Sequence, residues 1–305
     1  MTTKVTTENL FPDLPPMSAP KIGPNTIYHI GVSGGKDSSA LLLWMVRESG
    51  ISPEKIRASF CDIGNDHEWT IEHVKYLNEN VHPIETIRPE RNFFELALDK
   101  KRFPSTKARF CTQHLKIYPT QDHIQQLRYA GFEPIAVSGV RADESEDRRY
   151  LPEWDYSGTL LCHSWRPLIS WTISDVLEIH KRHGIPLNPL YSLGAQRVGC
   201  WPCIMSRKEE IRMIALMFPD RINEIRSAEQ EFEKRYGRYS SFFPANHIPE
   251  RFRTKPYKRK DGTWMMVCTI DDVVRWSMTG DQAQGSYLDS SQPTEPVTCS
   301  SGFCE

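Results

Sequence analysis

The sequence predicts an α/β fold: a parallel twisted sheet with helices on both faces, followed by a mainly helical C-terminal region. Three observations predict it. Short, largely apolar strand-like runs alternate with helical stretches from residue 26 to about residue 140; a Gly-Gly turn joins the first strand to the first helix; and the alternation fades beyond Arg148. The chain has 305 residues, of which 39% are hydrophobic and 25% charged. This length suits two domains, or one α/β domain with an appended region, and the composition excludes collagen-like, coiled-coil and wholly disordered chains.

The elements follow in order. Residues 27–32 read as an apolar strand, 38–48 as a helix with a buried run at 40–45, and 58–63 as a second strand. Strand, helix, strand is a parallel unit. A helix at 69–78, a strand at 83–88, a helix after Lys116 and a strand at 134–140 continue the pattern. Ligands are then expected at the carboxyl ends of the strands. Further on, 170–183, 206–218 and 222–236 read as helices, the last with Ile222, Ile225, Phe232 and Tyr236 near one face. Residues 1–25, with four prolines before Lys21, read as a flexible arm, and 285–305 as a flexible tail carrying Cys299 and Cys304. The expected units are thus 1–25, 26–168, 169–284 and 285–305.

Lys and Arg total 38 against 39 Asp and Glu, a net charge of −1 that excludes a generally basic nucleic-acid coat. No membrane-spanning run or signal-peptide apolar region is present in the sequence, which places the expected protein in the cytoplasm, away from membranes.

Directly after the first strand comes Ser33-Gly34-Gly35-Lys36-Asp37-Ser38-Ser39. Two glycines let backbone N–H groups turn inward, the helix start adds partial positive charge, and Lys36 can neutralise phosphate. A Gly-Gly turn capped by Asp37 or Ser38 is the purely structural alternative.

These residues resemble the PP-loop of the ATP pyrophosphatase superfamily, whose S-G-G-x-D-S signature they match, and so imply a PP-loop, Rossmann-like fold. Later segments resemble the phosphoadenosine phosphosulfate (PAPS) reductase family within it. Phe60-Cys61-Asp62-Ile63-Gly64-Asn65 is similar to its D-T-G strand end. Gly139-Val140-Arg141-Ala142-Asp143-Glu144-Ser145 with Arg148 is similar to its G-x-R-x-x-E-S block, and the run from Trp165-Arg166-Pro167 to Asn188-Pro189-Leu190-Tyr191 to its substrate region. The resemblance implies an adenine nucleotide held by Ser33, Gly34, Gly35, Lys36, Asp37, Ser38, Asp62, Gly64, Gly139, Arg141, Glu144, Arg148 and Arg166, with Lys36, Asp37 and Arg141 catalytic. Arginine supplies planar donors for phosphate or sulfate oxygens, and Glu144 orients one of them or helps hold Mg²⁺. The loop is intact, whereas reductases of the family usually carry degenerate ones. That favours ATP cleavage at the α–β bond.

Eight cysteines in a reducing compartment read as metal ligands, redox thiols or small buried hydrophobes. Cys200-Trp201-Pro202-Cys203 puts two thiolates within reach of one metal, for which sulfur softness selects iron–sulfur or zinc. The resemblance adds Cys111 as a third ligand, because it matches the first of a Cys-Cys pair in cluster-containing reductases; Thr112 stands in place of the second. Cys162, a tail cysteine or an exogenous sulfur then completes the set. A 4Fe-4S cluster is the leading expectation, ahead of zinc and of metal-free thiols. Cys61 and Cys268 read as packing residues. Cys304 is a candidate nucleophile, by likeness to the C-terminal cysteine of PAPS and APS reductases.

Residues 251–260 hold six basic residues, two aromatics and no acid, which suits a nucleic-acid backbone and equally a solvated loop before a strand at 263–270. The leading functional expectation is an enzyme that adenylates a substrate with Mg²⁺ and ATP for sulfur transfer. Its alternatives are a sulfonucleotide (PAPS or APS) reductase regenerated by a thioredoxin-like protein and a non-catalytic nucleotide-binding partner. Homo-oligomers are compatible with each.

Overall fold

The computed structural model describes residues 19–259 and 261–279. Five parallel strands and one antiparallel strand form a sheet in the order β3-β2-β1-β4-β6-β5. β1 (Thr26–Gly31) lies centrally, flanked by β2 (Ile56–Cys61) and β4 (Glu133–Val137); β3 (Ile84–Ile87) and β5 (Trp154–Ser157) are the edges, and β6 (Cys162–Trp165) lies between β4 and β5. All of β1 except Gly31 is buried, as a strand covered on both faces requires. The chain winds outward from β1 to β2 and β3, then returns to place β4 on the other side. This leaves a crevice where the order reverses, at the carboxyl ends of β1 and β4.

α1 (Lys36–Arg47) carries Ala40, Leu41, Leu42, Leu43 and Met45 fully buried, so its apolar run lies inside the molecule and not at a surface stripe. α7 (Ile173–Arg182) packs on α1, and α2 (Glu68–Asn80) joins β2 to β3. Between β3 and β4 come α3 (Phe93–Asp99), one helical turn α4 (Phe110–Thr112), a π-helical turn Gln113–Ile117, and α5 (Tyr118–Tyr129). A short helix α6 (Glu146–Arg149) precedes β5.

A second core joins α3 to the C-terminal helices α8 (Lys208–Met217), α9 (Pro219–Tyr236) and α10 (Ile270–Ser277). It includes Phe93, Phe103, Trp201, Ile211, Phe232 and Phe242. The strand expected at 263–270 is shorter: β8 (Trp264–Val267) pairs with β7 (Lys255–Lys258) as a hairpin, and Thr269 then caps α10. Neither α3 nor α10 nor the antiparallel β5 was anticipated from periodicity; each spans eight residues or fewer, too short to display a period. Among the described residues, no helix is long and apolar enough to cross a membrane. The expectations for residues 1–18, Lys260 and 280–305, with Cys299 and Cys304, lie outside the described residues.

Candidate active site

The Gly-Gly turn sits in the crevice. Gly34 has φ +77, and a methyl on its Cα would lie 2.9 Å from Thr70 Cγ2, so the position demands glycine twice over. Gly35 is the N-cap of α1 with no side chain to cap it, so the helix-start amides lack an intrahelical partner, and that of Lys36 donates to Tyr191 OH. The serines shape the turn: Ser33 N donates to Ser38 Oγ (3.1 Å), Ser38 Oγ donates to Gly35 O (3.1 Å), and Gly35 N donates to Ser33 Oγ (3.2 Å). Hydroxyls therefore hold the loop's shape.

Beside the loop lies an ion network centred on buried Asp37 and Arg141. The Asp37 carboxylate, 1% exposed, accepts from Lys36 Nζ and from Arg141 Nε, each at 2.5 Å. Arg141, itself buried, also reaches Asp143 (3.3 Å) and Glu144 (3.9 Å), and Glu144 pairs with buried Arg148. Three cations thus face three carboxylates, which keeps guanidinium donors fixed in a low-dielectric wall.

A pocket opens from the loop, lined by Ser33, Ser38, Cys61, Asp66, Lys116 and Gly139 among others. Lys116 comes from the π-helical turn and is buried. Burial pushes the Asp66 carboxyl above its ordinary range, the Lys116 ammonium pulling the other way. Asp66 Oδ2 has no hydrogen-bond partner among the described residues.

Behind Lys116 and Gly199, which line both spaces, a second cavity is walled by Cys111, Cys200 and Cys203 with Arg109 and Arg197. Burial pushes the Cys200 thiol up to about 12, Lys116 opposing and the neighbouring Asp66, Cys203 and Cys111 adding to the shift. Burial also raises Cys111, with Cys203 adding to it. Cys200 has φ +56, held there because its N–H donates to Asp66 Oδ1 (2.8 Å) while Trp201 N donates to Asn65 O (2.6 Å). Three soft donors around one cavity suit sulfur-ligated iron. The side chains do not converge on a point: among the described residues, no group of three His, Cys, Asp or Glu is poised to hold a metal ion.

Several sequence expectations land elsewhere. Cys162 is not beside this trio. It opens β6, buried with Ile124, Ala136 and Leu160, at the amino end of a strand parallel to β4, whereas the trio lies beyond the carboxyl end of β2. Arg166 donates to Pro152 O (2.9 Å) and pairs with Asp155 (3.5 Å), tying β6 to the approach to β5 and away from the loop pocket. Asp62 accepts from Gly64 N and from Arg88 Nε, both at 3.2 Å, outside the pocket wall. Cys61, read as packing, does pack against the second core and also lines the pocket, its Sγ 3.6 Å from Thr120 Oγ1.

Sequence reasoning missed Asp66, Lys116 and His180. The His180 ring contacts Lys36 O at 3.0 Å, Tyr191 OH accepts from Lys36 N at 3.0 Å, and Asn188 Nδ2 donates to Gly34 O at 3.3 Å. The Asn-Pro-Leu-Tyr run was the visible signal for this strap.

A family model for the phosphoadenosine phosphosulfate reductase domain matches residues 28–206. The chain is 33% identical, over 336 aligned positions covering 92% of it and 97% of the relative, to an uncharacterized 37.8 kDa protein in the gpa 5' region of Escherichia phage 186. An adenosine 5'-phosphosulfate reductase of Bacillus cereus (strain AH187) is 26% identical over 151 residues, 43% of this chain and 62% of that protein, so the match spans under two thirds of the reductase. Among solved structures, PAPS reductase from Candida auris in a phosphate complex shares 16% identity and a TM-score of 0.45 over 59% of this chain and 83% of that one. With its intact loop at the reversal of strand order and a family match over more than half its length, the chain belongs to the phosphoadenosine phosphosulfate reductase domain family of the PP-loop, adenine nucleotide alpha hydrolase-like superfamily.

Proposed function

We propose that this protein binds ATP at Ser33–Ser38 and cleaves it between the α and β phosphates, adenylating an acceptor oxygen for sulfur transfer. The observation that carries the reading is the shared wall: Lys116 and Gly199 border both the phosphate-loop pocket and the three-thiol cavity. Nucleotide chemistry and sulfur chemistry then meet within one crevice. The acceptor oxygen attacks the α-phosphorus and pyrophosphate leaves; a sulfur nucleophile next attacks the activated carbon, and AMP departs with the acceptor's oxygen.

The loop amides and Lys36 stabilise charge on the leaving pyrophosphate, and Arg141, fixed by Asp37, faces the α-phosphate oxygens. Mg²⁺ would be held mainly through the phosphates, as that ion usually is. Cys111, Cys200 and Cys203 would hold an iron–sulfur cluster, which when bound supplies a site for sulfur or electron delivery. Cys304 stays a candidate nucleophile from the tail.

The likeness to adenosine 5'-phosphosulfate reductases supports a second reading, in which a thiolate attacks the sulfur of APS or PAPS, the nucleotide leaves, and a thioredoxin-like dithiol releases sulfite. Incubation with Mg-ATP and with each sulfonucleotide separates the two. Pyrophosphate release supports adenylation; thiol-dependent sulfite supports reduction; ATP affinity with neither product supports a binding partner. Anaerobic purification and iron counting test the cluster. Iron should be lost in Cys111→Ala, Cys200→Ala and Cys203→Ala and kept in Cys162→Ala and Cys268→Ala.

A further inference from the structure

We propose that Thr70 couples the phosphate loop to the Cys200–Cys203 loop, so that a pyrophosphate group on the first changes the backbone mobility of the second. This rests on the reading that the loop takes nucleotide phosphates. Thr70 is fully buried in α2, and its two branches face different sites. Its methyl abuts Gly34: a Cβ built there would meet Cγ2 at 2.9 Å. Its hydroxyl donates to Val198 O at 2.9 Å, two residues before Cys200, and accepts from Asn188 Nδ2 at 3.1 Å. The Asn188 amide also reaches Gly34 O at 3.3 Å.

A β-branched side chain is stiff about χ1, so displacement of the methyl carries the hydroxyl with it. Gly34 therefore cannot move toward α2 without disturbing the Val198 carbonyl. The same helix entrance holds the thiol loop twice more, through Asp66 to Cys200 N and Asn65 O to Trp201 N.

A second contact ties the loop to the strap. Lys36 N–H, at the first turn of α1, donates to Tyr191 OH at 3.0 Å. A phosphate that recruits this amide displaces the tyrosine hydroxyl, and Tyr191 lies on the same strap as Asn188, which touches Thr70. Occupancy of the loop is thereby read at Thr70 from both the Gly34 side and the strap side.

The test measures amide hydrogen exchange of residues 198–203 by mass spectrometry in the full chain, with and without Mg-pyrophosphate, alongside calorimetric titration of pyrophosphate and ATP. Wild-type protein should show a ligand-dependent change of at least about 5-fold, the low end of typical site–site coupling, with β6 unaffected. Thr70→Val keeps the methyl and removes the hydroxyl; it should bind pyrophosphate within about 3-fold of wild type, a difference under 1 kcal/mol, and lose the exchange response. Thr70→Ser keeps the hydroxyl and removes the methyl that meets Gly34; it should weaken the response. Tyr191→Phe should tighten pyrophosphate binding by freeing the Lys36 amide, which keeps the idea testable if Thr70→Val does not fold. Wild-type protein that binds pyrophosphate without any exchange response, an unaltered response in Thr70→Val, or unchanged affinity in Tyr191→Phe overturns the coupling alone. Wild-type protein that binds neither ligand overturns the phosphate-loop reading and the coupling with it.

Discussion

Alanine at Gly139 tests how the sheet aims the phosphate loop. This residue follows β4, and a methyl on its Cα would lie 2.8 Å from the Asp37 carbonyl oxygen and 3.1 Å from the Asp37 carbonyl carbon. Both are backbone atoms in the first turn of α1, so no side-chain rotation relieves the clash. Ordinary contact starts near 3.4 Å, so strand end and helix start must part by about half an ångström. Overpacking of this kind costs about 1–3 kcal/mol. At about 2–4 °C per kcal/mol, Tm should fall by roughly 2–12 °C.

If the loop takes phosphate as proposed, the same displacement shifts the Lys36 and Asp37 amides away from it, so pyrophosphate affinity should drop about 10-fold, the equivalent of 1.4 kcal/mol. Gly158→Ala is the control, since Gly158 is exposed with nothing within 4 Å of an added methyl; it should stay within about 0.5 kcal/mol of wild type. Thermal unfolding and calorimetric titration of the three proteins decide the matter. A Gly139→Ala protein that melts with wild type and binds pyrophosphate equally well would falsify the close approach of β4 and α1.

Three further predictions concern stability and binding. Glu229, buried where its carboxylate accepts from Phe242 N (2.8 Å), Ile270 N (2.9 Å) and Tyr239 OH, is raised by burial to about 7. The folded state therefore holds a proton that the unfolded state has lost between about pH 4.5 and 7, and stability falls as pH rises through that window. Urea unfolding of Glu229→Gln should show a flatter slope there; an unchanged slope removes Glu229 as its source. For the Asp37–Arg141 pair, unfolding free energies of Asp37→Asn, Arg141→Met and the double variant should be non-additive by about 0.5–3 kcal/mol, because either single change takes from a buried charge its buried partner. Strict additivity refutes the pairing. If residues 251–260 contact nucleic acid, Trp264, 68% exposed with Lys258 Nζ 5.9 Å from its ring, is the base-stacking platform. Trp264→Ala should then weaken binding of single-stranded RNA by about 1–3 kcal/mol, and wild-type protein without RNA affinity ends that reading.

The sheet and the loop were legible because their signals are local. Residues 33–38 are contiguous, and apolar runs such as Leu41–Leu43 announce burial wherever they occur. The thiol trio was legible only in part. The C-x-x-C pair is local, and Cys111 entered through a resemblance. Cys162 was misplaced because strand direction, not sequence distance, decides which edge of the sheet a residue occupies. The partners of Arg166 were unreadable for a related reason: its antiparallel neighbour β5 supplies Asp155 and the chain before it the Pro152 carbonyl, and nothing in its own segment announces that strand.

The unread part of the site has a common cause. Asp66, Lys116 and Asn188 lie about 50 and 70 residues apart along the chain, and each is polar in a segment whose own pattern leaves its direction open. Lys116 on a regular helix would follow the turn set by Phe110–Thr112; the π-helical turn adds a residue and rotates the register, bringing the ammonium into the pocket wall between Asp66 and Cys200. Once there, it is the cation that tempers the cost of burying Asp66 and Cys200 together, so the distorted turn and the shifted titrations are one arrangement seen from two sides. A periodicity argument assumes regular helices, and this site is built where the helix departs from regularity.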